Sequence, residues 1–547
     1  MRTSDNGQRQ LLSGDEAMGL AALHACVSLG TGYPGTPSTE ILEAMAAYGG
    51  HAQWSPNEKV ALEVGLGVAY GGARALVTMK HVGLNVAADV LFTAAYTGVT
   101  GGLVIVSADD PGMASSQNEQ DNRHYAVAAG VPMLEPSDSQ EAYDFMREAF
   151  ELSEHWRLPV LFRVTTRVCH SKTPVTPRPP REGLPAPDFI RRIPERVMIP
   201  MYARPAHLRL QEKLDGLAEA SEAFPLHRTI AGRDGGELGI VTSGVSFAHA
   251  REAAPNAAVL KLALTYPLPM GLIREFASTV KRCAVIEEGD PWLANALLAE
   301  GIHIEDKPER FRFGELNVNR VRAILGGEQD KGTDKPAPAR APGKAPALCD
   351  GCPYRTVFEA FREFDCIVAG DIGCYSLGVL PPFEAMDSLV CMGSSLGVGL
   401  GLRHVLPESQ ARRVVSVIGD STFLHTGING LIEMVYNPPP HGHVVVILDN
   451  ATTAMTGHQE HPGTGRSLIH EPAGKVILED LVRGAGVPNV EVIEPRAGSR
   501  TFHDRLAAAL ASERLTVLIA RRPCLLIIKR LREFAAGAVS GEVCHAS

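Results

Sequence analysis

The stretch VVSVIGDS, Val414–Ser421, decides the fold of the C-terminal part of this chain. Its first five residues predict a buried strand, because a short run of mostly β-branched apolar residues suits a strand covered on both faces. A helical pattern at Gly430–Val435 follows, and a second apolar run, Val444–Leu448, ends in Asp449-Asn450. This alternation predicts a parallel sheet whose carboxyl edge carries the polar residues of both strand ends.

The same alternation extends over most of the 547 residues and predicts an α/β protein with three doubly wound domains. The Pro-rich stretch Thr173–Pro187 opens a connector, and Gly326–Ala347, rich in Pro, Lys and Ala, is the clearest linker. The predicted segments are 1–172, the connector 173–229, 230–325, the linker 326–347, 348–530 and the tail 531–547. The predicted strands are Ala75–Met79, Leu103–Ser107, Pro159–Val164, Leu238–Ser243, Val259–Leu264, Cys283–Glu287, Cys366–Ala369, Val414–Gly419, Val444–Leu448 and Thr516–Ala520.

Composition argues against several functional classes. Lys and Arg number 52 and Asp and Glu 62, which gives a net charge of −10, so we expect neither nucleic acid nor an anionic membrane as a partner. The first residues have no apolar segment of a signal peptide, and no apolar run is long enough to span a bilayer, which predicts a cytoplasmic protein. Its ten cysteines are then expected to be reduced, so that clustered ones bind metal rather than form disulfides.

The two strand ends predict a magnesium–phosphate site. Asp420, the Asn450 side-chain oxygen and the Thr452 carbonyl offer the hard oxygen ligands that Mg²⁺ prefers, and Gly419 lets the backbone approach a phosphate closely. Two ordinary strand-end turns are an equally good interpretation of these residues alone, since Asp and Asn are common there. The spacing resembles the thiamine diphosphate motif Gly-Asp-Gly … Asn-Asn, with Ser421 in place of the second Gly and Asp449 in place of the first Asn.

A second candidate site lies near the N-terminus, in Asn57–Gly67 (NEKVALEVGLG). Thiamine diphosphate needs a carboxylate beside N1′ of its aminopyrimidine, so that the 4′ nitrogen can remove the proton from the thiazolium C2. Glu58 opens the helical stretch and is the first candidate, while Glu63 could equally be a surface residue. A Glu at the start of a helix is also common as a charge that complements the helix dipole.

Motifs in one order along the chain resemble the α subunit of indolepyruvate:ferredoxin oxidoreductase, a thiamine diphosphate-dependent 2-oxoacid oxidoreductase. The resemblance implies a pyrimidine-binding domain first, a transketolase-C-like domain next and a diphosphate-binding domain last. The motifs that carry it are TGYPGTPSTE (Thr31–Glu40), NEKVALEVGLGVAYGG (Asn57–Gly72), MKHVGLNVAAD (Met79–Asp89), DDPGMASSQNEQDNR (Asp109–Arg123), CDGCPYR (Cys349–Arg355), GDIGCYSLG (Gly370–Gly378) and ARRPC (Ala520–Cys524).

By this resemblance Glu58 is the glutamate that activates the aminopyrimidine, and Thr36 holds the substrate carboxylate. Lys80 and His81 are implied as further active-site residues without an assigned role. The wider family places an Arg against the carboxylate where this chain has Asp109-Asp110-Pro111, so substrate recognition is expected to differ from that of the pyruvate enzymes. The diphosphate half of the site is expected to comprise Gly373, Gly393, Gly419, Asp420, Ser421, Asn450, Thr452 and Thr456, which together with Glu58 make a composite cofactor site.

Four cysteines form the last candidate site. Cys349 and Cys352 have a CxxC spacing that suits zinc, an iron–sulfur cluster or a redox dithiol, and Cys374 and Cys524 could complete a four-thiolate ligand set. The resemblance implies a 4Fe–4S cluster on these four residues; structural zinc and a lost cluster are the alternatives. The remaining cysteines are expected to be core or surface thiols: Cys26, Cys169, Cys283, Cys366, Cys391 and Cys544.

The resemblance also implies partners and a reaction, the oxidative decarboxylation of an aryl 2-oxoacid similar to indolepyruvate to give the acyl-coenzyme A. A smaller β subunit is expected to complete a heterotetramer. Many α subunits of this family continue into a ferredoxin-like domain with two CxxCxxCxxxCP runs, whereas this chain ends soon after Cys524. Electrons are therefore expected to leave through one cluster to ferredoxin or another acceptor.

Two other functions fit part of the sequence. A non-oxidative thiamine diphosphate decarboxylase or carboligase would use the same cofactor residues without the cluster. A non-catalytic assembly subunit would keep only the fold, although the presence of Glu58, Asp420 and Asn450 argues against it.

Overall fold

A computed structural model describes residues 8–183, 186–326 and 347–535. The chain divides into two compact units, Met1–Asp334 and Lys335–Ser547. Most of the predicted linker 326–347 and of the predicted tail 531–547, with Cys544, lies outside the described residues. The domain boundaries drawn from the sequence stay a prediction.

The first unit contains a seven-stranded sheet of order β12-β6-β7-β5-β4-β2-β3, a four-stranded sheet of order β13-β10-β11-β9 and an antiparallel pair, β1 with β8. Its strands are β1 (Gln10–Leu12), β2 (Leu29–Gly32), β3 (Ala52–Trp54), β4 (Ala75–Lys80), β5 (Leu103–Asp109), β6 (Met133–Leu134), β7 (Val160–Thr165), β8 (Thr173–Val175), β9 (Arg228–Ile230), β10 (Leu238–Ser243), β11 (Ala258–Leu262), β12 (Leu264–Tyr266) and β13 (Arg282–Ile286). All six residues of β4 and all seven of β5 are buried, as expected for central parallel strands.

Helices connect and cover these strands. They are α1 (Gly14–His24), α2 (Thr39–Ala47), α3 (Glu58–Tyr70), α4 (His81–Thr97), α5 (Arg123–Ala129), α6 (Ser139–Trp156), α7 (Thr166–His170), α8 (Ile193–Arg196), α9 (Pro200–Ser221), α10 (Ser246–Ala253), α11 (Met270–Ser278), α12 (Trp292–Ala299) and α13 (Val318–Gly326). One continuous apolar core joins the two sheets. It includes Val77 of β4 and Leu91 of α4 on the side of the seven-stranded sheet, and Val241 of β10 and Leu293 of α12 on the side of the four-stranded sheet. The two sheets of this unit are therefore packed as one body. None of the described helices combines the length and apolar content needed to cross a bilayer.

The second unit contains a five-stranded, all-parallel sheet of order β14-β15-β16-β18-β17. Its strands are β14 (Ile367–Ala369), β15 (Val414–Gly419), β16 (His443–Asp449), β17 (Asn489–Ile493) and β18 (Leu515–Arg521). Its helices are α14 (Tyr354–Glu363), α15 (Ser394–Val405), α16 (Glu408–Ala411), α17 (Asp420–Thr422), α18 (Ile428–Tyr436), α19 (Leu478–Gly484), α20 (Thr501–Leu510) and α21 (Ile528–Ala535). The register sets Gly419 beside Leu448, so Asp420 and the residues that follow Asp449 emerge at one edge.

The α/β class and most predicted strands are confirmed, β15 to the residue. The single strand predicted at Val259–Leu264 is wrong, because the run divides at Ala263: β11 ends at Leu262, and β12 leaves to pair antiparallel with β6 of the other sheet. An apolar run is compatible with either sheet, so only long-range pairing reveals the division.

Candidate active-site residues

Glu58 is the first residue of α3 and is only 5% exposed. The helix begins there because the Asn57 side chain accepts a hydrogen bond from the Val60 N–H at 2.9 Å, which caps the N-terminus. Glu63, the alternative candidate, is exposed and forms an ion pair with Lys59. Burial therefore favours Glu58 as the functional carboxylate.

Because Gly83 of α4 has no side chain, the Glu58 side chain can pack directly against this helix. A Cβ atom at position 83 would lie 2.6 Å from Glu58 Oε1 and 2.7 Å from its Cγ. The carboxylate of Glu58 thus lies directly against the first turn of α4, the helix that begins at His81. The role of Glu58 towards an aminopyrimidine stays a prediction.

Lys80 ends β4 and is buried, with its Nζ donating a hydrogen bond to the Ser115 carbonyl at 2.8 Å. Burial lowers the pKa of Lys80 to about 8, although the charge of Asp110 opposes this. A Cβ atom at Gly35 would lie 3.0 Å from Lys80 Cβ, so the turn that carries the half-buried Thr36 packs on this lysine. Lys80 is the last residue of β4, and Thr36 lies in the turn after the adjacent parallel strand β2. Both residues are therefore at the carboxyl edge of the sheet.

His81 is fully buried at the start of α4. Its Nε2 lies 3.2 Å from the Asn118 carbonyl, and its Nδ1 has no hydrogen-bond partner among the described residues. The Asn122 side-chain amide donates to the His81 carbonyl at 3.0 Å, which fixes this turn to the loop after β5. His81 therefore has one ring nitrogen available for a ligand or water.

Asp109 and Asp110, where the resemblance implied an arginine in the wider family, bind groups of the protein itself. Asp109 Oδ2 accepts a 2.7 Å hydrogen bond from Arg163, and Asp110 Oδ2 accepts one from the Ser115 N–H at 2.9 Å. Although burial opposes it, hydrogen bonds from Ser116, Ser115 and Thr166 hold the pKa of Asp110 below its usual value. These carboxylates thus position the loop whose Ser115 carbonyl binds Lys80.

In the second unit, one hydrogen-bond network joins the two predicted magnesium-binding strand ends. Asp420 Oδ2 accepts a hydrogen bond from the Ala451 N–H at 3.0 Å, and Asp420 Oδ1 accepts one from the Ser421 N–H at 2.8 Å. Asn450 Oδ1 accepts from the Thr452 N–H at 3.1 Å. Asp420, Asn450 and Thr452 are all buried, so the structure brings the three predicted ligand residues together.

The charge balance around Asp420 suits a cation. Burial and the charge of Asp420 raise the pKa of Asp449, while its 2.6 Å hydrogen bond from Arg521 opposes the shift. The described residues provide no Lys or Arg ion pair to Asp420; His461 Nε2 lies 3.3 Å from Asp420 Oδ2 without hydrogen-bond geometry. A divalent cation would offset the paired carboxylates, and the oxygen-rich donor set fits Mg²⁺.

One buried tyrosine, Tyr375, packs against two glycines of the predicted diphosphate site. Tyr375 accepts a hydrogen bond from the Gly419 N–H and donates one to the Ile372 carbonyl, both at 2.9 Å. A Cβ atom would approach its ring to 2.4 Å at Gly373 and to 2.9 Å at Gly419. Both glycines are thus needed for the close packing of two strand ends around one buried tyrosine.

Gly393 is the N-cap residue of α15, and the Asp371 side chain binds the backbone of this helix N-terminus. The Asp371 carboxylate accepts hydrogen bonds from the Gly393 and Ser395 N–H groups, each at 2.9 Å. Gly393 has a φ of 87°, and a Cβ atom there would lie 2.2 Å from Thr426 Oγ1. This left-handed, close approach explains why the position is a glycine.

Ser421 and Thr456 lie at the periphery of the network. Ser421 Oγ is 2.9 Å from Thr453 Oγ1, and Thr456 Oγ1 donates to the Gln459 side chain at 2.6 Å. The Thr453 N–H in turn donates to the Gln459 carbonyl at 3.0 Å. Residues 452–459 therefore fold as one compact loop beside Asp420.

The four predicted cysteine ligands lie in one region of the second unit, and their role as ligands stays a prediction. Burial and the neighbouring thiols of Cys524, Cys352 and Cys349 raise the pKa of Cys374 to about 11. Among the described residues, no three of these sulfur atoms lie within 4.8 Å of one another, whereas tetrahedral zinc, with Zn–S bonds of about 2.3 Å, would hold them closer than this. The structure therefore shows these thiols near one another but not as a closed metal site.

Hydrogen bonds connect the cysteines to the magnesium site. The Cys524 N–H donates to the Asn450 carbonyl at 2.9 Å, and the buried Tyr354 hydroxyl donates to the Leu448 carbonyl at 3.2 Å. Both cysteine segments are thereby attached to the carboxyl end of β16. Four residues of these networks were not among the predicted site residues: Tyr354, Tyr375, Asp371 and His461. Three of them carried a local signal: Tyr375 directly follows Cys374, Tyr354 lies two residues after Cys352, and Asp371 follows a strand end as Asp420 does.

Comparisons with known proteins found matches in both units of the chain. A family model of the thiamine diphosphate-binding domain of pyruvate flavodoxin/ferredoxin oxidoreductases matches residues 20–189, and one of the C-terminal domain of thiamine pyrophosphate enzymes matches residues 371–520. The indolepyruvate oxidoreductase subunit IorA of Methanothermobacter thermautotrophicus is 41% identical, over 98% of this chain and 90% of that protein. The chain belongs to the IorA family of indolepyruvate oxidoreductase subunits.

Other IorA proteins show the same relationship. The Archaeoglobus fulgidus protein is 40% identical over 96% of this chain and 88% of its own length, and the Pyrococcus abyssi protein is 38% identical over 95% and 86%. A solved 2-oxoglutarate:ferredoxin oxidoreductase from Magnetococcus marinus aligns at a TM-score of 0.49 and 15% identity, covering 59% of this chain and 65% of that one. Membership of the IorA family confirms the predicted resemblance and identifies a thiamine diphosphate-dependent 2-oxoacid oxidoreductase subunit.

Proposed function

We propose that this IorA-family chain is the catalytic subunit of an enzyme that oxidatively decarboxylates an aryl 2-oxoacid to the acyl-coenzyme A. Its relatives are named indolepyruvate oxidoreductase subunits, and this supports indolepyruvate as the type of substrate. The observation that carries the proposal is the hydrogen bond from Cys524 to Asn450, because it joins the thiol ligand set directly to the predicted magnesium–diphosphate residues.

Each half of the cofactor has a fitting set of residues. Asp420, the Asn450 side chain and the Thr452 carbonyl would hold Mg²⁺ and the diphosphate, and the buried carboxylate of Glu58 would bind N1′ of the aminopyrimidine. When bound, thiamine diphosphate supplies a nucleophilic carbon for the ketone and accepts the electron pair left as CO₂ departs. Glu58 acts by holding a proton on N1′.

The substrate carboxylate would be held in the first unit. Lys80 keeps its proton at neutral pH because its pKa, although lowered, is about 8, and the Thr36 turn packs on it. A cation at this place would take the role that an arginine has in the wider family, since Asp109 and Asp110 cannot bind an anion. His81, with one ring nitrogen free of partners among the described residues, is the candidate for proton transfer.

Electrons would leave through a 4Fe–4S cluster held by Cys349, Cys352, Cys374 and Cys524. Four thiolates are the usual ligands of such a cluster, and these cysteines are near enough for the other three thiols to raise the pKa of Cys374. Ferredoxin or another one-electron carrier would accept the electrons. A smaller β subunit would complete a heterotetramer, and coenzyme A would accept the acyl group.

The test is coexpression with a β-type subunit and anaerobic purification, followed by assays of arylpyruvates with a viologen acceptor, with and without coenzyme A. We expect viologen reduction, and about four iron atoms per chain that Cys374→Ser removes. Cys26→Ser is the control, because a serine there can keep the hydrogen bond to the Arg181 carbonyl. Iron-free but active protein would overturn the redox proposal in favour of a decarboxylase or carboligase. Failure to bind thiamine diphosphate with Mg²⁺ would leave a non-catalytic subunit.

A further inference from the structure

Asp15, on the first turn of α1, is a buried carboxylate outside the proposed active site. The residue is 1% exposed, and neither carboxylate oxygen has a hydrogen-bond partner of normal geometry among the described residues. Burial and the charges of Glu40, Glu16 and Glu43 raise the pKa of Asp15 well above its usual value, while the neighbouring Cys169 thiol opposes the shift. A buried carboxylate whose oxygens lack such a partner needs either a proton or a cation.

Two further ligand groups face the same point. Ligand atoms of Asp15, Glu40 and His170 all lie within 4.8 Å of one another. Glu40 belongs to α2, and His170 is the last residue of α7, so the three side chains come from three helices. Both Glu40 and His170 are exposed, which gives an ion access from solvent and lets their side chains close by the small distance that metal bonds of about 2.1 Å require.

Glycines fix the helices that carry these residues. A Cβ atom at Gly14 would lie 2.2 Å from the Val168 carbonyl of α7, and one at Gly19 would lie 2.8 Å from the Ile41 carbonyl of α2. The backbone of α1 therefore contacts both partner helices directly. The ligand-bearing helices are held in place by packing, before any ion binds.

We propose that Asp15, Glu40 and His170 form a binding site for a divalent transition-metal ion, with Zn²⁺ as its representative, which ties α1, α2 and α7 together. One imidazole nitrogen with two carboxylates is a donor set that suits Zn²⁺ or Mn²⁺ better than Ca²⁺ or Mg²⁺, which prefer oxygen alone. Water completes the coordination on the exposed side. This site is independent of the thiamine chemistry proposed above.

The test compares metal content in the full chain and in three variants. Each protein is stripped with a chelator, dialysed against Zn²⁺ and analysed for zinc bound per chain. Glu40→Gln and His170→Gln should each bind one zinc fewer than the unsubstituted protein, whereas the control His303→Gln, an exposed histidine elsewhere in this unit, should lose none. Zinc bound by the cysteines or at Asp420 is the same in all four proteins and cancels.

A crystal of the full chain soaked in Zn²⁺ gives a second readout. An anomalous peak between Asp15, Glu40 and His170 supports the proposal. Equal zinc content in all four proteins, or no peak at this place, overturns it and identifies Asp15 as a protonated core residue.

Discussion

Glu58 and Glu63 share one helix, but only Glu58 is shielded from water. We expect Glu58→Gln to lower the rate of arylpyruvate-dependent viologen reduction by about 10²- to 10⁴-fold, because a positioned acid–base group contributes that much. Its far-ultraviolet circular dichroism should not change. Glu63→Gln is the matched control and should retain full activity, since it removes only a surface ion pair. Equal losses in both variants would contradict the assignment of Glu58.

The lowered pKa of Lys80 can be tested through the pH dependence of the protein's stability. Its folded pKa is about 8, and an unfolded lysine has a pKa of about 10.4, so between these values the unfolded chain binds more protons and the stability of the protein rises with pH. We expect Lys80→Met to raise the melting temperature of the cofactor-free protein at pH 7, where the buried charge costs most, and to raise it less at pH 9.5. Melting curves at the two pH values measure the difference. An equal effect at both would mean that Lys80 is not perturbed.

Asp420, Asn450 and the four cysteines could be predicted from the sequence because their motifs lie at strand ends or have ligand spacing. The packing of Tyr375 could not be predicted, because it brings together two glycines that are 46 positions apart in the chain, Gly373 and Gly419. The choice between Glu58 and Glu63 also needed tertiary structure, because both lie in the same helical pattern.

Among the structural elements, β15 and β16 share a buried polar contact. His443 Nε2, at the start of β16, lies 2.9 Å from Ser416 Oγ of β15. Burial and the charge of Arg403 lower the pKa of His443 to about 3. An unfolded histidine has a pKa of about 6.5, so unfolding takes up a proton between these values, and stability falls as pH falls from about 6.5 towards 3.

We expect His443→Gln to lower the number of protons taken up on unfolding at pH 5 by about one. The free energy of unfolding should then change by about 1.4 kcal/mol less per pH unit. Calorimetry in buffers of different ionisation enthalpy measures this uptake. The exposed His51→Gln is the control and should leave the uptake unchanged at this pH. An unchanged value in His443→Gln would show that His443 is protonated in the folded chain.

Element prediction succeeded where a run of apolar residues ends in turn residues, as in β15, and failed where the chain changes sheets. Leu264 has the apolar character of the strand before it, and only its pairing with Leu134 places it elsewhere. Short strands such as β2 (LGTG) were missed because glycine weakens the pattern typical of strands.

For the whole molecule, thiamine diphosphate with Mg²⁺ should stabilise the chain by mass action, by about 2.7 kcal/mol at a hundredfold excess over the dissociation constant. A chelator should remove the effect, and Asp420→Asn should abolish it. The control Asp480→Asn, an exposed residue of α19, should retain the full shift in melting temperature. A normal shift in Asp420→Asn would place the cofactor elsewhere.

The bond between the Cys524 N–H and the Asn450 carbonyl has a consequence for the evolution of the family. It fixes the separation of two loops that follow neighbouring strands, β16 and β18, whose register is set over seven residue pairs. An insertion directly after one strand would break the bond unless the other loop changed as well. We therefore expect insertions and deletions at these two places to occur together among relatives, so that the two sites are inherited as one unit.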